Sequence, residues 1–407
     1  MKTAPQKLHC LQSRYGFSDE EVASFAGLYE GNPFDTESPA FKRLQKLSAS
    51  LCDEYSALYH SVPLKAGILR LGLNYLRCHR LLKQIFFDCP LSADIRPGFR
   101  CLIGQVDLMG TCYMGLGVTF SPTSLVKVEN RSVISPKAFI GGPGFGLVHL
   151  GEDSWVGAEV RVPTPFDLGQ TSVVAAGATL GGFSMPSFSI AYGRPAKIQK
   201  LSGSSEPKQP LKPFSAEERK ALIEHLKRIG FAAATKDYER IVEGGVVNVG
   251  SPHLGRLFLY SHALSAEYSR PETSKERKEE ILRLLFPLAG KNLQAGSSLY
   301  VDLLGLVKLG ENVTLGDDVS FYGRVTIGDD VTIEDGASFY ATGHPLDPKE
   351  REFLFSLLGA RSLTTFASIA TGDHLSIGAG AIAVPFASIE QSIPSGAIAL
   401  SSGHIIA

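Results

Sequence analysis

An apolar residue recurs at every sixth position in two separate stretches of this chain. Leu309, Leu315, Phe321, Ile327, Ile333 and Phe339 are six apart, and Val313, Val319, Val325, Val331 and Ala337 keep the same period two residues earlier in each unit. Glycine follows the large residue at Gly310, Gly316 and Gly328. In the first half Leu150, Val156, Val162, Leu168, Val174 and Leu180 are six apart, with Val148, Ser154, Val160, Phe166, Ser172 and Ala178 two before each. Gly151, Gly157, Gly169 and Gly181 follow four of these large residues. A helix scatters such positions around its axis, and a plain amphipathic strand alternates with period two. A coil with three short flat sides explains the period. Each side is one six-residue unit, its large residue points into an axial column, and the small residue beside it lets the chain turn the corner. Stacked coils bury a continuous core and satisfy their backbone groups through the coils above and below. The expected fold is therefore mainly β: two left-handed parallel β-helices of hexapeptide repeats, each preceded by a small α-helical cap region.

The flanking text has the same duplicated order. Phe17-Ser18-Asp19-Glu20-Glu21 and Phe214-Ser215-Ala216-Glu217-Glu218 are near-copies. Each gives S-x-x-E, a capping box with an apolar staple residue in front. Further helix is expected over 42–59, 64–87, 220–228, 257–268 and 274–286. The Ser/Pro/Lys-rich stretch 202–213 reads as a linker. The chain then divides into a helical region (1–90), a first β-helix (91–201), the linker (202–213), a second helical region (214–296) and a second β-helix (297–407).

Composition excludes several classes. Formal net charge is -1, so no global field draws the chain to nucleic acid or anionic lipid. All six cysteines fall before residue 113, with no C-x-x-C and no histidines at zinc spacing, so reduced buried thiols in a cytoplasmic protein are expected. The first residues open no apolar signal segment, and no uncharged apolar run reaches spanning length. The basic, apolar segment 64–87 fits either a helix packed on protein or one lying on a membrane surface; the packed reading is preferred and membrane contact is not expected. Ile140-Gly141-Gly142-Pro143-Gly144-Phe145-Gly146 lacks the G-K-[ST] ending of a phosphate loop and reads as a tight corner. The pairs Asp317-Asp318 and Asp329-Asp330 read as solvated corners rather than calcium ligands, and no metal is expected.

At Thr342-Gly343-His344-Pro345-Leu346-Asp347-Pro348-Lys349-Glu350-Arg351 the text becomes specific. With the hexapeptides before it, it closely resembles the maltose, galactoside and nodulation O-acetyltransferases of the hexapeptide-repeat acyltransferases. In that family a T-x-H-P-L-D-P-x-x-R stretch leaves the β-helix as a loop carrying the catalytic histidine. Glu279 to Phe286, Gly290 and Tyr300-Val301-Asp302 are similar to the family's upstream text. In the first half, Ile190-Ala191-Tyr192-Gly193-Arg194-Pro195-Ala196-Lys197-Ile198 resembles the family's closing G-x-P-A-K segment, which lies near coenzyme A.

The resemblance implies acetyl transfer from acetyl-CoA to a hydroxyl of a sugar or sugar-like metabolite, with His344 as general base. A hydroxyl is a poor nucleophile until its proton is taken, and histidine titrates near neutrality. Trp155, Gly193, Pro195 and Lys197 are the implied coenzyme contacts. Asp237 and Asp318 are the implied acceptor contacts, with Tyr322-Gly323 standing where the family has an aspartate. The family also implies a homotrimer with sites between β-helices.

Each copy departs from the pattern. Aligned on the hexapeptides, His344 falls opposite Phe145, which cannot act as a base, and the first half lacks the extruded loop. His149 stands nearby at what resembles an ordinary strand position. The second half ends without a G-x-P-A-K segment and has Ser376 where the first has Trp155. Three readings follow: a second-domain enzyme whose coenzyme site is completed by a neighbour, such as the first domain; an enzyme binding its acyl donor differently; or a degenerate β-helix scaffold or binding partner. The first is preferred.

Overall fold

The computed structural model describes residues 2–61, 68–200, 214–243, 245–247, 251–343, 353–356, 359–362, 364–366, 368–385, 387–400 and 405–406. It forms two compact units, the first made chiefly of residues up to Gly203 and the second of residues from Ser204 onward. The linker expected at 202–213 lies outside the described residues.

The first unit opens with five helices: α1 (Ala4–Tyr15), α2 (Asp19–Phe25), α3 (Gly27–Glu30), α4 (Pro39–His60) and α5 (Ile68–Ile85). The second opens with α6 (Ala216–Arg228), α7 (Thr235–Glu243), α8 (Pro252–Tyr268) and α9 (Lys275–Leu285). Both S-x-x-E boxes form. Ser18 and Ser215 accept from the amides of Glu21 and Glu218, whose carboxylates accept in return from the amides of the two serines. The residues in front, Phe17 and Phe214, are buried as staples. α1 and α7 were not foreseen, although Thr3 with Pro5 and Gln6 caps α1, and Tyr238, Ile241 and Val242 give α7 one buried face. α5 packs Cys78, Leu81, Leu82 and Ile85 into its own unit. No helix among the described residues is long and apolar enough to cross a membrane.

Each unit then winds into a left-handed parallel β-helix with three faces. In the second unit Leu309 pairs with Ile327, Leu315 with Ile333 and Phe321 with Phe339, each pair on a different face. Residues six apart thus occupy successive faces, and residues 18 apart stack. All six large residues are at most 2% exposed, and the residues two before them are wholly buried. In the first unit the column Leu150 to Leu180 is buried in the same way. Its coils are less uniform: Phe166 pairs with Val148 at a separation of 18, but Val148 pairs with Val126 at 22.

The helices close one end of each column. Tyr29 Oη donates to the Ile103 carbonyl at 2.7 Å and Tyr238 Oη to the Leu304 carbonyl at 3.0 Å, so first-coil acceptors are not left bare. The other end is closed by a strand that turns back antiparallel, Lys197–Lys200 in one unit and Ile405–Ile406 in the other. The second ladder starts at Leu288–Ala289, ahead of residue 297. Its first coil places Ala289 and Ala295 beneath Leu309 and Leu315, and such small side chains do not register as an apolar column in the sequence.

The corners explain the L-G-D-D text. The first aspartate caps the coil below: Asp329, Asp335 and Asp373 accept from the amides of Glu311, Asp317 and Asp329 at 2.7–2.8 Å. The second corner residue is left-handed, with φ of 58° at Asn312, 56° at Asp318 and 55° at Asp330, a conformation Asn and Asp tolerate. The glycine is required because a Cβ on Gly310 or Gly328 would collide with Asp329 or Asp373 and with backbone. Gly328→Ala is expected to lower the unfolding free energy by about 1–3 kcal/mol through overpacking. Gly372→Ala, one coil on, would bring its Cβ no nearer than 3.4 Å to any atom and should change stability by less than about 1 kcal/mol. Equal losses in urea unfolding would refute this account of the corner.

Candidate functional site

Among the described residues, the second β-helix departs furthest from its 18-residue coil at one corner. Thr314 pairs with Thr332 at a separation of 18, whereas Thr332 pairs with Ser376 at 44. The extra 26 residues leave the coil after Ala341, whose amide still donates to the Tyr322 carbonyl, and rejoin it at Ser368, the register partner of Arg324. The neck of this excursion is a two-stranded antiparallel ladder, with Thr342 opposite Phe366 and Gly343 opposite Thr365. Gly245–Val247, just beyond α7, adds a third strand alongside Thr364–Phe366. His344 lies outside the described residues.

The corresponding corner of the first unit is short. Strand Phe139–Ile140 passes through Gly141 to Gly146 straight into the next strand. A Cβ on Gly141, at φ 104°, would run into Ser121 and Ser124. Phe145 packs edge-on against Phe34 with ring centroids 5.1 Å apart, so it serves a contact with the helical region. His149 sits in mid-strand in register with Lys127 and Asp167. Its Nδ1 is 2.8 Å from Asp167 and its Nε2 3.2 Å from Glu129, so both ring nitrogens are engaged by carboxylates.

Of the residues matched to coenzyme contacts, Trp155 and Lys197 lie on strands of one sheet. Trp155 is in register with Val173, Val173 with Ile190, and Ile190 with Gln199 of the returning strand. Gly193, at φ 92°, and Pro195 form the turn of that hairpin, and Tyr192 faces Lys197 across it. Trp155 Nε1 donates to Ser135 Oγ at 2.9 Å. Arg194 Nε donates to the Gly177 carbonyl at 2.6 Å, while Lys197 is exposed. The matched acceptor residues are not brought together by any hydrogen bond among the described residues. Asp237 lies in the first turn of α7. Asp318 is an exposed corner residue whose Oδ1 accepts from Ser298 Oγ at 2.7 Å.

One polar cluster was missed. His262 of α8, only 5% exposed, places Nε2 3.0 Å from Asp302 Oδ1 and 2.9 Å from Tyr300 Oη, and Tyr300 Oη donates to the same carboxylate at 3.2 Å. A carboxylate only accepts, so the ring proton belongs on Nε2. Nδ1 is buried with no partner among the described residues. The Tyr300, Tyr322 and Tyr340 rings follow one another at 5.1 and 4.8 Å toward the neck of the excursion. His262 and Asp302 are 40 residues apart, and no local pattern joins them.

Among the described residues no group of three acidic, histidine or cysteine side chains is placed to hold a metal. All six cysteines are buried and unpaired. Burial pushes the Cys78 thiol up to about 11 and the Cys112 thiol up to about 12, which keeps both protonated near neutrality. Burial also lowers Lys7, against its 2.9 Å pair with Asp107.

These features define the class: a protein of two left-handed parallel β-helices in tandem, with a long corner excursion in the second. No protein-family model matches the chain, and no curated protein does. Among solved structures the chain is similar to a maltose O-acetyltransferase from Clostridium difficile 630, with 23% identity and a TM-score of 0.35, over 42% of this chain and 95% of that one. It is similar to a hexapeptide-repeat-containing acetyltransferase from Vibrio cholerae complexed with acetyl coenzyme A, with 18% identity and a TM-score of 0.36, over 45% and 98%. A galactoside acetyltransferase in complex with coenzyme A gives 19% identity and a TM-score of 0.29, over 42% and 90%.

The buried thiols carry a test. Native protein should react with a thiol reagent at least roughly a hundredfold more slowly than after unfolding, when all six become available. Fast native labelling of Cys78 or Cys112 would show that their surroundings are not those described.

Proposed function

We propose that the chain is an acetyl-CoA-dependent O-acetyltransferase acting on a hydroxyl of a sugar or sugar-like metabolite. One observation carries the reading. One coil of the second β-helix is lengthened from 18 to 44 residues, and its insertion, closed at the neck by Thr342–Gly343 and Thr364–Phe366, carries the His344-Pro345-Leu346-Asp347-Pro348 text. Binding and catalytic residues are found disproportionately on loops held by a rigid scaffold, which favours such a role for this excursion.

In this reading acetyl-CoA supplies an activated thioester. His344 takes the acceptor hydroxyl proton as the oxygen attacks the acyl carbon, then returns it to the departing thiolate, with no acyl-enzyme. Trp155, Gly193, Pro195 and Lys197 bind the coenzyme. Trp155 and the closing hairpin are on one sheet, and the exposed Lys197 suits a phosphate. Asp237 and Asp318 accept hydrogen bonds from acceptor hydroxyls. The assembly is a homotrimer. Within the first unit Phe145, packed on Phe34, favours a structural rather than catalytic role for that copy.

The first test is acetyl-CoA-dependent release of free thiol across a panel of mono- and disaccharides. A stimulating sugar should be found, and His344→Ala should cut its effect by about 10² or more. No sugar-dependent release from wild type, together with no calorimetric coenzyme A binding, would make the protein a scaffold. Trp155 is the only tryptophan, so its emission should change on titration with coenzyme A. Lys197→Ala should weaken that titration roughly fivefold to tenfold, the loss of one charge-assisted contact; an unchanged affinity would remove Lys197 from the coenzyme contacts.

A further inference from the structure

Arg324 is a buried cation with little to balance it. Its side chain is 2% exposed. Nη1 donates to the Val242 carbonyl at 2.9 Å, the guanidinium lies 5.5 Å over the Phe214 ring, and Nη2 has no partner among the described residues. No carboxylate pairs with it among those residues either. A guanidinium stays charged when buried, so its desolvation is poorly offset and global stability does not account for it.

Its position does. Residues 322–324 touch both ends of the excursion. The Ala341 amide donates to the Tyr322 carbonyl at 2.7 Å where the chain leaves, and a Cβ on Gly323, at φ 87°, would meet Thr342 Cγ2 at 2.7 Å. Arg324 itself is in register with Ser368, where the chain returns. The one carbonyl it binds belongs to the last turn of α7, where a cation also meets the negative end of the helix. Just beyond that turn, Gly245–Val247 pairs with Thr364–Phe366, which pairs with Thr342–Gly343. The contacts form a closed circuit from the coil through Arg324 and α7 to the neck and back to the coil.

We infer that Arg324 is a positioning residue, which pins the end of α7 to the coil and thereby fixes the neck of the excursion that carries His344. The inference rests on the reading of His344 as the base. Because the buried charge is poorly compensated, Arg324→Met should leave the unfolding midpoint nearly unchanged. Amide exchange at Thr342–Gly343, Thr364–Phe366 and Gly245–Val247 should speed up about tenfold or more, while the coil at Val325–Ile333 stays protected.

Catalytically, kcat should fall about 10–100-fold with KM for acetyl-CoA unchanged. Arg324→Lys, which keeps the charge and one donor, should recover part of both losses. Val246→Pro, which removes a backbone donor from the third strand, should loosen the neck by the same route if Arg324→Met fails to fold. Unchanged neck exchange, uniform loosening of the whole unit, or full kcat beside a loosened neck would each overturn the inference. If wild type shows no sugar-dependent turnover at all, the functional reading has failed. The exchange measurements then still decide whether Arg324 holds the neck: selective loosening upholds it, and unchanged exchange overturns it.

Discussion

Everything in this molecule depends on the way one coil satisfies the next. A β-helix coil has almost no hydrogen bonds within itself, so its amides and carbonyls must find partners one turn up and one turn down. The ladder Val307–Val325, Leu315–Ile333 and Phe321–Phe339 meets that need at a fixed separation, and the column of large side chains fills the space inside. The two requirements reinforce each other. Slipping the register by one residue would turn the column outward and bury the corner charges. A corner is therefore the place where the chain can depart, and wherever it departs it must return in register.

That constraint explains why the two halves differ where they do. The first unit takes up a few extra residues between Phe139 and Val148 and remains a coil, with Phe145 turned onto Phe34. The second takes up far more between Tyr340 and Ser368, and such a stretch cannot be absorbed by a wider turn. It closes on itself instead, through an antiparallel neck whose outer edge is covered by a strand from the helical region. The cap helices thus do two things in the second unit. They close the open end of the column, and through α7 they supply the strand that buttresses the interruption.

The column, the corners and both capping boxes were legible in the sequence because each is a local pattern with a physical period or a fixed spacing. Leu309 and Ile327 announce themselves by recurrence, and Ser215 with Glu218 by a three-residue gap. Ala289 and Ala295 belong to the same column but are too small to stand out, so the first coil of the second unit was missed. The departure of the chain near residue 342 was expected from the family resemblance of the Thr342 to Arg351 text, and the register of Arg324 with Ser368 gives its extent. The Gly193 to Lys197 text was readable, and its hairpin on the sheet that holds Trp155 came only with the register.

The polar groups were illegible for a different reason. His262 and Asp302 come from a helix and a coil 40 residues apart, and Arg324 reaches a carbonyl 82 residues away in α7. Charge inside a protein is tolerated only where particular partners stand, and partners set by tertiary placement leave no spacing in the chain. The same fact makes such groups informative once the fold is known. An apolar side chain in the column needs no explanation beyond the column. A buried guanidinium with one acceptor does, because a residue of similar shape without charge would fill the space at lower cost. Among the described residues of the second unit, the His262 ring and the Arg324 guanidinium each keep a buried nitrogen without a partner, as His79 Nε2 does in the first. His262 stands against the first of the tyrosines that lead toward the neck, and Arg324 stands beside the neck itself. Both therefore stand along the stretch of coil from which the long excursion departs and to which it returns.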